Sequence, residues 1–163
     1  MAFDLYFLER IPGRTWIQAM EDLEDADDGR PLAPGDLQRW AVLVDSLAPV
    51  LPEATAESGD ESRALDDRAS GIQVSFSPSE ISISVPARSA GDDGDLDEVL
   101  RRVASVIEAE TGLVAYDPQA DEPFLPEHAD PGPTTVEQVL QLVGDPDRPS
   151  SKKPGGTGRR FRR

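Results

Sequence analysis

The stretch IQVSFSPSEISISV, residues 72–85, constrains the fold more than any other part of the chain. Ile72, Val74 and Phe76, and then Ile81, Ile83 and Val85, alternate with serines or Gln73 on either side of Pro78-Ser79. Successive side chains of a strand point to opposite faces, so this period of two predicts an antiparallel hairpin with one apolar and one polar face. The apolar face has to be covered by other elements, whereas the polar face can stay in water.

The rest of the chain offers one more long strand and several helices as cover. In AFDLYFL, Phe3, Leu5 and Phe7 repeat the strand period. In RTWIQAMEDLEDADDG, Thr15 and Gln18 have capping-box spacing, Ile17, Met20 and Leu23 form an apolar stripe, and Gly29 lies beyond the end. A second helix carries Leu37, Trp40, Ala41, Val44 and Leu47 until Pro49 and Pro52 stop it. A third is capped by Asp95 with Glu98, carries Leu96, Val99, Leu100, Val103, Val106 and Ile107, and ends at Gly112. Trp16 and Trp40 fall on helix faces, which predicts that both pack inside the fold.

Residues 113–117 then read as a short strand that ends at Pro118, which has no N–H to pair. Leu113 and Ala115 face one side of it, Val114 and Tyr116 the other, and Gln119 alone has no evident structural role. Thr134 with Glu137 opens a last short helix closed by Gly144. Apart from that extra helix the order reduces to βαββαβ. It predicts an α+β fold of ferredoxin-like type, an antiparallel sheet with its helices on one face. Residues 1–144 form a single acidic domain, in which 53–70 is a mobile loop without apolar periodicity and 118–133 a Pro-rich connection. Residues 145–163 are expected to be a disordered basic tail.

Charge narrows the function classes. Residues 151–163 hold six cations and no acid, so residues 1–150 carry ten cations against 32 acids, a net of −22. Such a surface repels phosphate backbones and anionic membranes and attracts cationic proteins. Nucleic acid is left only the tail, where Arg159, Arg160, Phe161, Arg162 and Arg163 combine guanidinium groups with an aromatic ring. An RNA-binding sheet needs stacking aromatics and basic groups on its open face, and here those positions are Gln73, Ser75, Ser77, Ser82 and Ser84, with Asp4 and Tyr6 nearby. The absence of cysteine removes disulfides, thiolate catalysis and Cys-ligated zinc. The N-terminal apolar run is interrupted by Asp4 and has no basic region before it, so a cytoplasmic protein without a membrane span is expected.

Motifs of catalysis and metal binding are not recognisable. An EF-hand loop needs Asp or Asn at its positions 1, 3 and 5, and counting back from Gly29 gives Glu24, Ala26 and Asp28. The acids Asp22, Glu24, Asp25, Asp27 and Asp28 therefore read as a solvated helix face, and neither metal nor cofactor is expected. His128, the single histidine, has no GxSxG, HExxH or HxxxH motif to join. An enzyme would have to be assembled from Tyr116, Asp117 and His128, and a scaffold protein would dock through the basic tail.

Taken together, FDLYFL, the acidic amphipathic helix and GLVAYDPQ resemble a diffuse group of small bacterial proteins with a Gly-Leu-x-x-Tyr-Asp-Pro-Gln strand exit. The resemblance covers residues 3–8 and about 95–119. Some members look like immunity proteins that neutralise secreted toxins, which implies a binding role and no catalytic residues. The expectation is a non-enzymatic acidic protein that captures a cationic protein partner, as an immunity or accessory factor, through Asp22, Glu24, Asp25, Asp27 and Asp28.

Overall fold

A computed structural model describes residues 2–26, 29–86 and 93–128, all within the unit Met1–Ala129. In chain order it comprises β1 (Phe3–Leu8), α1 (Trp16–Ala26), α2 (Pro34–Leu47), β2 (Thr55–Ser58) and β3 (Arg63–Asp67). After these come β4 (Ile72–Phe76), β5 (Ile81–Val85), α3 (Asp93–Thr111), β6 (Val114–Asp117), β7 (Glu122–Pro123) and a 3-10 turn at Pro126–His128. The strands form one sheet in the order β2-β3-β4-β5-β1-β6-β7, and every neighbouring pair is antiparallel.

The 72–85 hairpin forms as its alternation requires. Val74 pairs with Ile83 and Ser75 with Ser82, while the Ser77 amide donates to the Glu80 carbonyl at 2.8 Å across the Pro78-Ser79 turn. Ile72, Val74, Phe76, Ile81, Ile83 and Val85 all enter the core, against Trp40, Leu43 and Leu47 of α2 and Val103 and Ile107 of α3. Local signals act as expected at the start of α1 and the end of α3, whereas α3 begins at Asp93, so the expected cap Asp95 lies two residues inside the helix. Thr15 and Gln18 exchange the two capping-box bonds, at 3.1 and 3.3 Å. Gly112 adopts φ 72° and donates its amide to the Glu108 carbonyl, a C-terminal stop that side-chain-bearing residues adopt at a cost.

The sheet is larger than the four-stranded ferredoxin-like βαββαβ plan. The four expected strands lie side by side as β4-β5-β1-β6, but β2 and β3 extend one edge and β7 the other. Residues 53–70, read as a mobile loop, contain the β2–β3 hairpin. Within the Pro-rich connection Glu122-Pro123 pairs with β6, and Leu125 is buried in the core.

Nor do all helices share one face. Leu8, Val114 and Tyr116 lie on the side of β1 and β6 opposite to Phe7 and Ala115, yet are buried outside the main cluster. Their cover is α1, whose Trp16 stacks on Tyr116. The stripe of α1 is rotated accordingly: Trp16, Ala19, Met20 and Leu23 are half-buried, and Ile17 is 53% exposed. In α2 the buried side is Asp36, Trp40, Leu43 and Leu47, while Leu37 and Ala41 face solvent. The extra helix at 134–144 and the tail lie outside the described residues. Among the described residues no helix is long and apolar enough to cross a membrane.

Candidate functional site

The outward face of the sheet is covered by α1 over β1 and β6, and its polar rows run beyond that helix. Strand register sets Asp66, Gln73, Ser84 and Asp4 in one cross-strand row, and Ala64, Ser75, Ser82, Tyr6 and Tyr116 in the next. Tyr6 stands at the junction of this polar floor with the α1 flank. Its phenol is pushed up from its ordinary pKa, first by burial and then by the negative charges of Asp4, Glu80 and Glu24. Those acids come from a strand, the hairpin turn and α1, so three separate elements direct negative potential at one place.

Of the acids expected to meet a partner, Asp22 pairs with Arg14, with both side chains about half exposed, and Glu24 and Asp25 are exposed on α1. Asp27 and Asp28, and the tail residues Arg159, Arg160, Phe161, Arg162 and Arg163, lie outside the described residues. Asp4 and Glu80 were not anticipated as part of the acid face. Their signals were the outward position of Asp4 beside Tyr6 and the place of Glu80 in the turn, but register was needed to bring the two together.

Tyr116, Asp117 and His128 are engaged in separate structural contacts. The Tyr116 hydroxyl donates to Asp121 at 2.7 Å, and burial, followed by that carboxylate, raises the phenol to about 12. Asp117 Oδ1 accepts the amides of Gln119 and Ala120 and so shapes the exit turn. Gln119 in turn donates its side-chain amide to the Ala2 carbonyl at 3.4 Å, tying the turn to the start of β1. His128 meets Glu108 at 2.8 Å through Nε2, and the other Glu108 oxygen accepts the Ala115 amide. That carboxylate therefore joins α3 to β6 and to the 3-10 turn.

Among the described residues no group of three or more His, Asp or Glu side chains is placed to hold a metal ion. Asp36, buried at the start of α2, accepts from the Ala33 amide, Arg39 and Arg30, which hold its carboxyl below the usual range, the Ala33 amide contributing most. It caps its helix and binds two cations internally. No family model, curated protein or solved structure matches the chain.

Proposed function

We propose that the protein is a non-enzymatic acidic binding protein that captures a cationic protein partner, as an immunity or accessory factor. The observation that carries this reading is the polar outward face, where the rows of Asp4 and Tyr6 lie on the side of the sheet that α1 flanks with its exposed acids Glu24 and Asp25. The rise of the Tyr6 phenol, first by burial and then by the charges of Asp4, Glu80 and Glu24, accords with it. A negative field concentrated on a polar, half-open surface speeds encounter with a basic protein, and close charge pairs then select among partners. Tyr6 adds a ring with a protonated hydroxyl, a group common at recognition surfaces. The adjacency of β4, β5, β1 and β6 within the seven-stranded sheet supports the ferredoxin-like element of this reading.

Engagement of Tyr116, Asp117 and His128 by Asp121, turn amides and Glu108 favours binding over a catalytic use of these residues. The test is retention of a partner from native extract on the immobilised protein. Glu24→Lys with Glu80→Lys reverses two of the three charges around Tyr6 and is expected to abolish retention. Undiminished retention by this doubly substituted protein contradicts the reading.

A further inference from the structure

On the opposite, helix-covered side of the sheet, Asp67 occupies an inward position that alternation reserves for an apolar residue. It follows Leu65 on β3 and is only 4% exposed. Its Oδ2 accepts both the amide and the hydroxyl of Ser70, at 2.9 and 2.6 Å. Its Oδ1 is buried and has no hydrogen-bond partner among the described residues. The Ser70 hydroxyl spends its one proton on Oδ2 and accepts from the Ile72 amide, so the turn holds no further hydroxyl donor for Oδ1. A buried carboxylate oxygen left unmatched is costly, and a donor from outside relieves that cost.

Asp67 lines a cavity of about 350 Å³, within the size range of small-ligand sites. Glu53 and Asp95 add two more carboxylates to the lining, and Val50, Leu96 and Val99 supply apolar walls. This combination specifies the occupant: acceptors alone call for a cationic donor, and the walls call for an aliphatic stem behind it. The acids do not assemble into a metal-binding group among the described residues, which favours an organic cation over a divalent ion.

We infer that this cavity receives one basic side chain, arginine or lysine, whose head donates to Asp67 Oδ1 while its methylenes lie against Val50, Leu96 and Val99. The inference rests on the functional reading only in taking the source of that side chain to be a cationic protein. A free small cation has the same head-group chemistry, so the probes must separate the two sources.

The full chain, labelled for NMR, is titrated with capped arginine amide, with the same arginine flanked on both sides by glycines, and with the neutral capped citrulline amide. Shifts centred on Val50, Ser70, Leu96 and Val99 are expected with both arginine probes and not with citrulline. Binding of the flanked peptide at least as tight as that of the single residue assigns the site to a protein's side chain, and rejection of the flanked form overturns that assignment. Asp67→Asn is expected to weaken binding roughly tenfold, the effect of losing one charge-assisted bond. Should that variant fail to fold, Glu53→Gln with Asp95→Asn, both at exposed positions, is expected to weaken it in the same direction. Equal shifts with citrulline, or arginine affinity unchanged in the substituted proteins, overturn the inference. Neutralising Asp22, Glu24 and Asp25 on the other face leaves this titration intact. Partner capture that survives this neutralisation, with the titration preserved, therefore counts against the functional reading alone, and a silent titration with capture abolished by the neutralisation counts against the inference alone.

Discussion

The indole of Trp16 stacks on the ring of Tyr116, with centroids 5.9 Å apart and planes 21° from parallel. This contact fastens α1 to the outward face of the sheet, although no residue of α1 is fully buried. Trp16→Ala is expected to cost about 2 kcal/mol, less than truncation of a fully enclosed tryptophan because the side chain is half-buried. Hydrogen exchange should accelerate across residues 16–26 while β4 and β5 keep their protection, since α1 can open without the core. Uniform acceleration through the whole domain would show instead that α1 is integral to global stability.

Tyr116 predicts an alkaline limb of stability. Its phenol is raised from 10 to about 12 in the folded protein, so its contribution is complete below pH 10 and disappears as pH rises toward 12. Spectrophotometric titration should find both tyrosines ionising above the free value, and Tyr116→Phe should remove one of the two and flatten the decline of Tm in that window. At neutral pH the same substitution loses one neutral-to-charged hydrogen bond to Asp121, worth about 1.5 kcal/mol. An unaltered alkaline profile in the substituted protein would refute the assignment.

Asp36 predicts the opposite limb. Its carboxyl is held below the usual range by the Ala33 amide and by Arg39 and Arg30, so the stability it confers is present above the unfolded aspartate value, about 4, and is lost as pH falls through the lower folded value. Asp36→Asn should lower Tm at pH 7 and make the acid decline below about pH 4 shallower. Parallel acid profiles for the two proteins would locate the acid sensitivity elsewhere.

Ile83 and Ser82 are adjacent on β5 and point to opposite faces. Ile83 is completely buried at the centre of the sheet, so Ile83→Ala should cost about 2–5 kcal/mol in urea unfolding. Ser82 lies in the outward row between Ser75 and Tyr6, and Ser82→Ala should change stability by less than about 0.5 kcal/mol. Comparable losses at both positions would mean that the outward face is packed as tightly as the core.

These neighbours also show why the centre of the fold was legible in the sequence and its edges were not. Alternation from Ile72 to Val85 is strong because one face is wholly buried and the other polar. By contrast β2 is exposed at every position, and the two buried residues of β3 are Leu65 and Asp67, so Leu65 was the one large apolar residue to signal the whole β2–β3 hairpin. Edge strands need little burial on either side, and their period fades accordingly. Pro123 and Leu125 were hidden for a different reason: they sit among prolines that read as a connection, although both are buried.

The placement of α1 depended on tertiary contact. Its stripe identified a helix, but only the burial of Leu8, Val114 and Tyr116 on the outward face showed which side of the sheet it covers. In the candidate site, the acids of α1 were legible as a charged run, and Thr15 with Gln18 located the start of the helix. The meeting of Glu24 with Asp4 and Glu80 at Tyr6 was not, because charges distant in sequence are brought together by register and helix docking.

The measurement closest to the central claim is the association rate of the captured partner at low and at physiological ionic strength, for the wild-type chain and for Asp22→Asn with Glu24→Gln and Asp25→Asn. Long-range attraction accelerates encounter and is screened by salt. The expected wild-type rate falls steeply as salt rises, and the expected rate of the substituted protein is roughly tenfold lower at low salt with a much weaker salt dependence. Equal rates and equal salt dependence in the two proteins would contradict the central claim.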